Sequence, residues 1–361
     1  MAWRYVAFAE PSGVYLDEVT LVGAEVSRVL SGPGRLTGLI KAGMVPPWLL
    51  PWHCSIYAED ESGTIRGGGF VTPLDQSSDG VKIDCVGRSG YPKGMPWVDA
   101  PVSLVQVDPL AIVRQVWTHL QSQPGGDVGM NVDATTSPVR VGEPERDVSF
   151  TTGNGQDVTF ASGPFTLDWW STVDLGGEID KLAIATPFDY LEHASWDTSG
   201  ERLGHRLELG YPAIGTRREG LRLALGENVI LTPSLSSGDE DYASEVHALG
   251  AGEGRSMVRA ALTRASSGVR RVLTYADKSA RSQADLSSAA RAALSWRDGA
   301  GALTELSVIE HPHAPLAALI PGVEIFVSGA DGDLIIDRWV RIVETVMTPE
   351  SGTVRLRVVE V

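Results

Sequence analysis

The amino-acid sequence predicts a mainly β protein with α+β insertions, and three observations lead to this fold class. Short runs of alternating apolar and polar residues, separated by Gly, Ser and Asp, fill the N-terminal part of the chain and return at its C-terminal end. Few segments have the spacing or composition of a helix. A chain of 361 residues is also longer than a single hydrophobic core usually serves, since chains beyond roughly 250–300 residues usually divide into domains. We therefore expect at least two domains, built mainly from strands.

The N-terminal region is predicted to form an antiparallel sheet or barrel. Val81, Ile83 and Cys85 alternate with Lys82 and Asp84, which is the period of a strand with one buried face. Runs of similar character are GAEVSRVL, GRLTGLI, WHCSIYAED and TIRGGGFVTPL. The turn-forming stretches ESG and SSDG separate the later runs, as expected for strands joined by short connections.

The strongest helix signal begins at Asp108, in the segment DPLAIVRQVWTHLQSQPGG. Asp108 is a favourable N-cap residue and Pro109 is favourable at the first helical position. Apolar side chains then recur at helical spacing, and Pro124 and Gly125 end the pattern. Residues 127–185 are predicted to return to short strands.

Two further helices are predicted downstream. The segment ATPFDYLEHASW has Thr186 as its candidate N-cap and Pro187 at the first helical position. The segment DKSARSQADLSSAARAALSW is helical by propensity. Residues 303–361 are again strand-rich, and Asp331–Asp333 reads as a hairpin turn because it lacks the spaced acidic ligands of a calcium loop.

The charge and cysteine content exclude several classes of protein. The net charge is −16, which argues against binding to a phosphate backbone or an anionic membrane. Cys54 and Cys85 are too few for a disulfide-rich scaffold and are predicted to be buried free thiols. Arg4 and Glu10 interrupt the N-terminus, so no signal peptide is expected, and no apolar segment is long enough for a membrane anchor. We expect synthesis and assembly in the cytoplasm.

The glycine-rich stretch RVLSGPGRLTGLI raises the question of a phosphate-binding loop. Gly32, Gly34 and Gly38 have the wrong spacing for a dinucleotide fingerprint, and the lysine of a P-loop is absent. Strand-like sequence follows where a helix should start, and Pro33 removes an amide donor. We predict a turn between two strands, with Arg35 on the opposite face from the apolar residues of the second strand.

No catalytic residue, metal site or cofactor is predicted, and the protein is not expected to be an enzyme. The stretch from Gly87 to Gly90 has the wrong spacing for a nucleophile elbow. His311 and His313 form a pair with no third ligand nearby in sequence, so a solvated loop is favoured over a metal site.

Two aromatic segments are candidates for contact surfaces. The segment GMVPPWLLPW places Trp48, Leu49, Leu50 and Trp52 between prolines. It is either an exposed patch for a protein partner or a buried, proline-stiffened crossing. In DWWS the adjacent tryptophans, Trp169 and Trp170, are expected on opposite faces of a strand. They form either a sugar platform or, as is more common, one core residue and one interface residue. The predicted interface residues are Trp48, Leu49, Leu50, Trp52, Gly32, Pro33 and Gly34.

The order of segments along the chain resembles that of the minor tail proteins of actinobacteriophages of the siphovirus type. Those tail proteins in turn resemble the tail-tip or baseplate hub proteins of long-tailed phages. The segments that carry the resemblance are MAWRYVAFAEPSGVYLDEVTL, RVLSGPGRLTGLI, IRGGGFV, CVGRSGYPKGMPW, DPLAIVRQVWTHLQSQPGG, TPFDYLEHASW and HALGAGEG. It covers most of the chain and is weakest in the helical segment around residues 278–296.

The resemblance implies a multidomain tail-hub architecture with two tube-like antiparallel β-barrels and two smaller helix-containing domains. On that pattern, residues 1–104 form the N-terminal barrel and residues 105–203 a helix-bearing α+β domain. Residues 204–262 and 303–361 form the second barrel, and residues 263–302 are a helical insertion.

The function implied by the resemblance is structural. Such hubs form a homotrimer at the distal end of a long non-contractile tail, within the virion tail tip. Their partners are the distal tail protein ring, the C-terminus of the tape-measure protein and other tip proteins. Phage DNA passes through the enclosed channel without specific binding, and an acidic wall would favour this by repelling phosphate. The alternatives are a tail-tip cell-wall hydrolase and a carbohydrate-binding receptor module; relatives often carry such regions beyond the hub, whereas this chain stops soon after its last predicted strand.

Overall fold

A computed structural model describes most of the chain and divides it into two compact units. The described residues are 3–151, 157–231, 242–251, 257–265, 268–276, 283–295, 303–332 and 334–361. The larger unit comprises Met1–Gly142, Pro164–Thr232 and Glu305–Val361, and the smaller comprises Glu143–Gly163 and Pro233–Thr304. The mainly β composition predicted from the sequence is confirmed, while the predicted boundaries at residues 104, 203, 262 and 302 stay predictions.

The regular elements are numbered in chain order. The strands up to the first helix are β1 (Arg4–Ala9), β2 (Val14–Val19), β3 (Val22–Val29), β4 (Arg35–Lys41), β5 (Cys54–Glu59), β6 (Ile65–Val71), β7 (Asp75–Ser77), β8 (Gly80–Val86) and β9 (Val102–Leu104). The middle of the chain contains α1 (Pro109–Ser122), β10 (Met130–Val132), β11 (Arg146–Thr151), β12 (Asp157–Ser162), β13 (Phe165–Leu167), α2 (Leu175–Ala185), β14 (Asp189–Trp196), β15 (Leu203–Gly210) and β16 (Arg217–Ala224). The remaining elements are β17 (Glu245–Leu249), β18 (Arg259–Thr263), β19 (Val272–Ala276), α3 (Gln283–Ser295), β20 (Glu305–Ile309), β21 (Glu324–Asp331), β22 (Leu334–Thr348) and β23 (Thr353–Glu360).

A 13-stranded sheet forms the main layer of the larger unit, and it joins the two ends of the chain. Its main path runs β16-β21-β22-β3-β4-β8-β6-β5-β1-β2, with β23 and β20 branching from β22 and β7 from β8. The link between N-terminal and C-terminal strands is the antiparallel pair β22 and β3, in which Met347 lies opposite Val26. The described strands follow an open path, so the closure of two barrels stays a prediction.

The turn predicted at SGPG is confirmed between β3 and β4. Leu36 and Ile40 are buried while Arg35 is exposed, as the strand period requires. The backbone approaches closely here: a Cβ atom on Gly34 would lie 2.4 Å from the carbonyl oxygen of Ser27. The glycine is therefore required by the packing of two backbones.

The helix predicted at Asp108 is confirmed as α1 and forms the core of a helix-bearing layer. The Asp108 carboxylate accepts a hydrogen bond from the Leu110 amide at 3.0 Å, as an N-cap should. Trp117 is 1% exposed and packs with α2 and the β10-β15-β14 sheet in one apolar cluster. No described helix is long and apolar enough to cross a membrane.

The helix predicted at Thr186 is wrong. The helix in this region is α2, which begins after the N-cap Asp174 and ends where the Thr186 hydroxyl bonds the Leu182 carbonyl. The prediction of short strands over residues 127–185 is therefore also wrong for Leu175–Ala185, which form α2. The predicted helix is instead strand β14, which pairs with β15 along its whole length. Antiparallel pairing and the packing of Trp196 against Phe8, at 5.8 Å between ring centroids, outweigh the weak local helix signal.

Within the described residues, the smaller unit contains a two-stranded and a three-stranded sheet. β11 and β12 form an antiparallel pair. β18, β17 and β19 form a three-stranded sheet whose core includes Val246 and Ala248. Leu286, Ala290 and Leu294 of α3 belong to the same core and follow each other at four-residue spacing on one helix face. The helix predicted by propensity in this region is confirmed.

Candidate functional site

The segment 43–52, which we name the Pro/Trp loop, presents an exposed apolar surface in the larger unit. Leu50 is 51% exposed and Trp52 is 54% exposed, and Met44 and Val45 are exposed beside them in sequence. Trp48 is half-buried and Leu49 is buried. Of the two alternatives left open by the sequence, the exposed patch describes most of the loop, with Leu49 as its anchor.

Hydrogen bonds and ring contacts hold the Pro/Trp loop in a defined shape. Trp52 has a φ of 62°, a left-handed conformation that is uncommon for a bulky residue. Its amide donates to the carbonyl of Val71 at 2.8 Å, and its indole lies 6.1 Å from the ring of Phe70. The Leu49 amide donates to the Pro46 carbonyl at 3.2 Å. A rigid, exposed apolar loop is suited to protein contact, because little entropy is lost on binding.

The Gly32–Gly34 turn is half-buried. The Ser31 amide donates to the Tyr190 carbonyl at 2.8 Å, and the Gly87 amide donates to the Gly34 carbonyl at 2.8 Å. The turn therefore connects the large sheet to the helix-bearing layer of the same chain. A role of Gly32, Pro33 and Gly34 in contacts with another protein stays a prediction.

Trp169 and Trp170 do not lie on opposite faces of a strand. They occupy a turn after β13, closed by a hydrogen bond from the Thr172 amide to the Asp168 carbonyl at 2.8 Å. Both are exposed, at 60% and 59%, and their rings meet edge to face at 88°. The strand prediction failed because Asp168 begins a turn, which removes the alternation of side chains.

A buried ion pair connects the large sheet to the helix-bearing layer. The guanidinium of Arg88 contacts Glu10 and donates to the Tyr57 hydroxyl at 3.0 Å and to the Val128 carbonyl at 2.7 Å. It also lies 4.7 Å above the centre of the Phe70 ring. Burial raises the pKa of Tyr57 well above its usual value, so this phenol stays protonated. Each guanidinium nitrogen of Arg88 has an acceptor within the fold, while Oε2 of Glu10 is buried without a hydrogen-bond partner among the described residues. These contacts give the network a structural role.

The His311 and His313 pair has a third neighbour that the sequence did not reveal. Glu227, from the turn after β16, lies 3.2 Å from Nε2 of His311 and 3.5 Å from Nδ1 of His313. The His313 amide donates to Nδ1 of His311 at 3.2 Å, so the proton of the neutral His311 ring lies on Nε2, facing Glu227. Metal binding at Nε2 would require that proton to move to Nδ1, where it would face the His313 amide, which is also a donor. The arrangement fits a hydrogen-bonded cluster better than a metal centre.

Comparison with known proteins identifies the fold. No protein-family model matches the chain, and no curated protein matches it. The 43 kDa tail protein of prophage MuSo2 from Shewanella oneidensis matches with a TM-score of 0.61 and 14% identity, over 99% of this chain and 98% of that one. The tail protein from Neisseria meningitidis MC58 matches with a TM-score of 0.59 and 12% identity, over 100% and 97%.

A third match extends the same result. The prophage tail protein gp18 from Listeria monocytogenes EGD-e matches with a TM-score of 0.56 and 12% identity, over 98% of this chain and 94% of that one. The chain thus has the mainly β fold of phage tail proteins along essentially its whole length. The resemblance predicted from the sequence is confirmed at this level. The narrower assignment to actinobacteriophages and siphoviruses stays a prediction.

Proposed function

We propose that this protein is a structural component of a phage tail, in which three copies form the hub at the distal end of a long non-contractile tail. The observation that supports this most directly is the match to the MuSo2 tail protein over 99% of this chain and 98% of that one. A catalytic protein that had borrowed one tail domain would match over part of its length. The whole chain instead follows the tail-protein fold.

Two surface features are consistent with assembly. The Pro/Trp loop is a rigid apolar patch, and such patches are typical of protein interfaces. At the end of the main path of the large sheet, β2 exposes Val14 and Tyr15, at 51% and 43%. Edge strands with exposed apolar residues favour pairing with another chain. In this proposal they contact neighbouring protomers, the distal tail ring, the tape-measure C-terminus or other tip proteins.

The net charge fits a channel for DNA. Each chain carries −16, and an acidic wall repels phosphate and lets DNA pass without binding. In an assembled tail we expect the channel-facing surface of this protein to be net negative. A net basic wall would contradict this part of the proposal.

A reconstruction of the virion tail tip tests the proposal. We expect density for three copies of this chain around a threefold axis at the distal end of the tube, enclosing the DNA path. Density for the chain at another part of the tail, or in a ring of different symmetry, would refute the hub assignment while leaving the fold unchanged.

The two alternative functions have direct tests of their own. Clearing of host peptidoglycan by the purified protein in a zymogram would support a hydrolase and contradict a purely structural role. The exposed pair Trp169 and Trp170 favours a carbohydrate-binding module, but its perpendicular rings do not make a flat platform. Glycan binding that disappears in Trp170→Ala would support that function.

A further inference from the structure

A cavity of about 580 Å³ lies in the larger unit, and several basic side chains line it. It is bordered by the end of β3, by β6, and by β14 and β15. Three arginines and two histidines line it: Arg28, Arg66, Arg206, His193 and His205. Its volume is within the range of pockets that hold small ligands.

Two of the three arginines already have carboxylate partners. Nη2 of Arg66 lies 2.5 Å from Asp60, and Nη2 of Arg206 lies 3.3 Å from Glu208. Both partners are fixed by further contacts: Asp60 accepts hydrogen bonds in its own turn, and Glu208 also accepts from His193 at 2.7 Å. These two cations are therefore neutralised within the fold.

The cavity also contains a carboxylate, Glu192, but its oxygens are engaged by backbone donors. The amides of Arg88 and Ser89 each donate to it, at 2.9 Å. Glu192 thus caps the short helical turn at residues 88–90. Its charge still attracts Arg28 at a distance, but it makes no ion pair with that residue in the described structure.

Arg28 is the cation that has no carboxylate partner within ion-pair distance among the described residues. Its Nη2 lies 3.5 Å from Nδ1 of His193, whose other nitrogen bonds Glu208. This pattern suits a neutral imidazole that accepts from Arg28 and donates to Glu208. Burial and then the charge of Arg66 lower the pKa of Arg28, while the charges of Glu192 and Glu208 act against this shift. A partly buried guanidinium beside a second cation is unfavourable unless an anion compensates it.

From this arrangement we infer that the cavity binds an oxyanion, a carboxylate or a phosphate group, with Arg28 as its principal cationic contact. Guanidinium groups bind both of these planar or tetrahedral anions through paired hydrogen bonds. Gly32, Gly67 and Gly68 also line this cavity, beside the basic side chains. The ligand is either free phosphate or the acidic side chain of another protein, and the two share the same chemistry.

Calorimetric titration of the full chain tests the inference. Sodium phosphate and N-acetylglutamate are titrated separately at constant ionic strength. Binding of either supports the site, and the tighter of the two identifies the source of the anion. We expect Arg28→Gln to weaken binding by roughly tenfold or more, because it removes a charge-assisted hydrogen bond. The matched control is Arg35→Gln, an exposed arginine of the neighbouring strand paired with Asp84, which should bind as the wild type does.

A second measurement needs no variant. Phosphate or N-acetylglutamate should protect Arg28 from modification by phenylglyoxal, read by mass spectrometry, while Arg35 reacts at an unchanged rate. Absence of binding of both anions, equal weakening in the two variants, or absence of protection at Arg28 would each overturn the inference. The proposed place of the protein in a phage tail does not depend on the result.

Discussion

At the scale of single residues, the most consequential interaction is the buried pair of Arg88 and Glu10. Both side chains are at most 4% exposed, and the guanidinium also satisfies Tyr57 and Val128. Removing one partner leaves the other charged and buried. The attraction within the pair therefore contributes less to stability than the free-energy cost of leaving one of its charges buried without the other.

We predict that Arg88→Met lowers the free energy of unfolding of the larger unit by about 3–5 kcal/mol. Chemical denaturation followed by tryptophan fluorescence measures the change. The control is Lys181→Met, since Lys181 is 73% exposed and its bridge to Glu178 lies at the surface of α2. Surface bridges contribute about 0–1 kcal/mol. Equal effects of the two substitutions would show that the buried network is not important for stability.

His205 makes the stability depend on pH. Burial, and then the nearby charge of Arg88, lower the pKa of His205 to about 2. Its ring lies 5.4 Å from that of Tyr57, and its Nδ1 atom is buried without a hydrogen-bond partner in the described structure. In the unfolded chain the residue regains an ordinary pKa near 6.5. As the pH falls, His205 therefore becomes protonated in the unfolded state at a higher pH than in the folded state.

The stabilisation by neutral His205 is therefore complete above pH 6.5 and decreases as the pH falls toward the folded-state value. We expect the free energy of unfolding to decrease by up to about 1.4 kcal/mol per pH unit below 6.5 from this residue. Urea denaturation at pH 7, 6, 5 and 4 measures the slope. His205→Phe, which keeps a ring beside Tyr57, should have a shallower slope. Identical slopes would contradict the assignment.

At the scale of elements, α1 is determined by its own sequence. Its N-cap Asp108 accepts hydrogen bonds from the Leu110 amide at 3.0 Å and from the Ser137 hydroxyl at 2.8 Å. Its apolar face then enters the core through Trp117 and its neighbours. Local capping and tertiary packing agree here, which is why the prediction succeeded.

Loss of this cap should be measurable. Asp108→Ala is expected to destabilise the larger unit by about 1–2 kcal/mol, because it leaves a helix N–H and the Ser137 hydroxyl without their acceptor. The midpoint of thermal unfolding reports the effect. Asp75→Ala, at an exposed carboxylate in β7, is the matched control and should change little. A similar loss in both variants would rule out the capping role.

The neighbouring prediction failed for a physical reason that is visible in two residues. Thr186 followed by Pro187 has the composition of a helix start, yet Thr186 closes the end of α2. The better signal lay earlier, where Asp174 precedes apolar residues at helical spacing, Leu175, Ile179 and Leu182. Pairing of β14 with β15, the next strand along the chain, then decided the conformation that followed.

At the scale of the whole molecule, the Pro/Trp loop is the proposed surface for assembly. We predict that Met44→Ser combined with Leu50→Ser leaves the thermal stability of the isolated protein nearly unchanged, because both side chains are exposed, at 54% and 51%. Incorporation into tails should be reduced, since an apolar contact is lost. Electron microscopy of complemented virions and quantification of the protein in purified tails measure this.

The control for that experiment is Ile184→Ser, a more exposed apolar side chain of α2, at 87%. Tails assembled with the loop variant at wild-type yield would exclude the Pro/Trp loop as an interface. Loss of incorporation in both variants, with folding intact, would instead indicate that general surface hydrophobicity is responsible.

The sequence by itself determined the class of the protein and most of its local structure. Strand alternation, the cap at Asp108 and the turn at Gly34 depend on neighbours within a few residues, so they could be read directly. The order of segments also resembled that of phage tail proteins, and the comparison with solved structures confirms the resemblance at the level of the fold.

Only the tertiary structure decided which distant residues meet. The pairing of β3 with β22 joins the two ends of the chain, and Arg28 meets His193 across one cavity. Glu227 meets His311 in the same way. Such contacts depend on strand register and on burial, which charge composition and local period do not encode. The proposed anion site and the 13-stranded sheet that joins the two ends of the chain therefore became visible only in the folded chain.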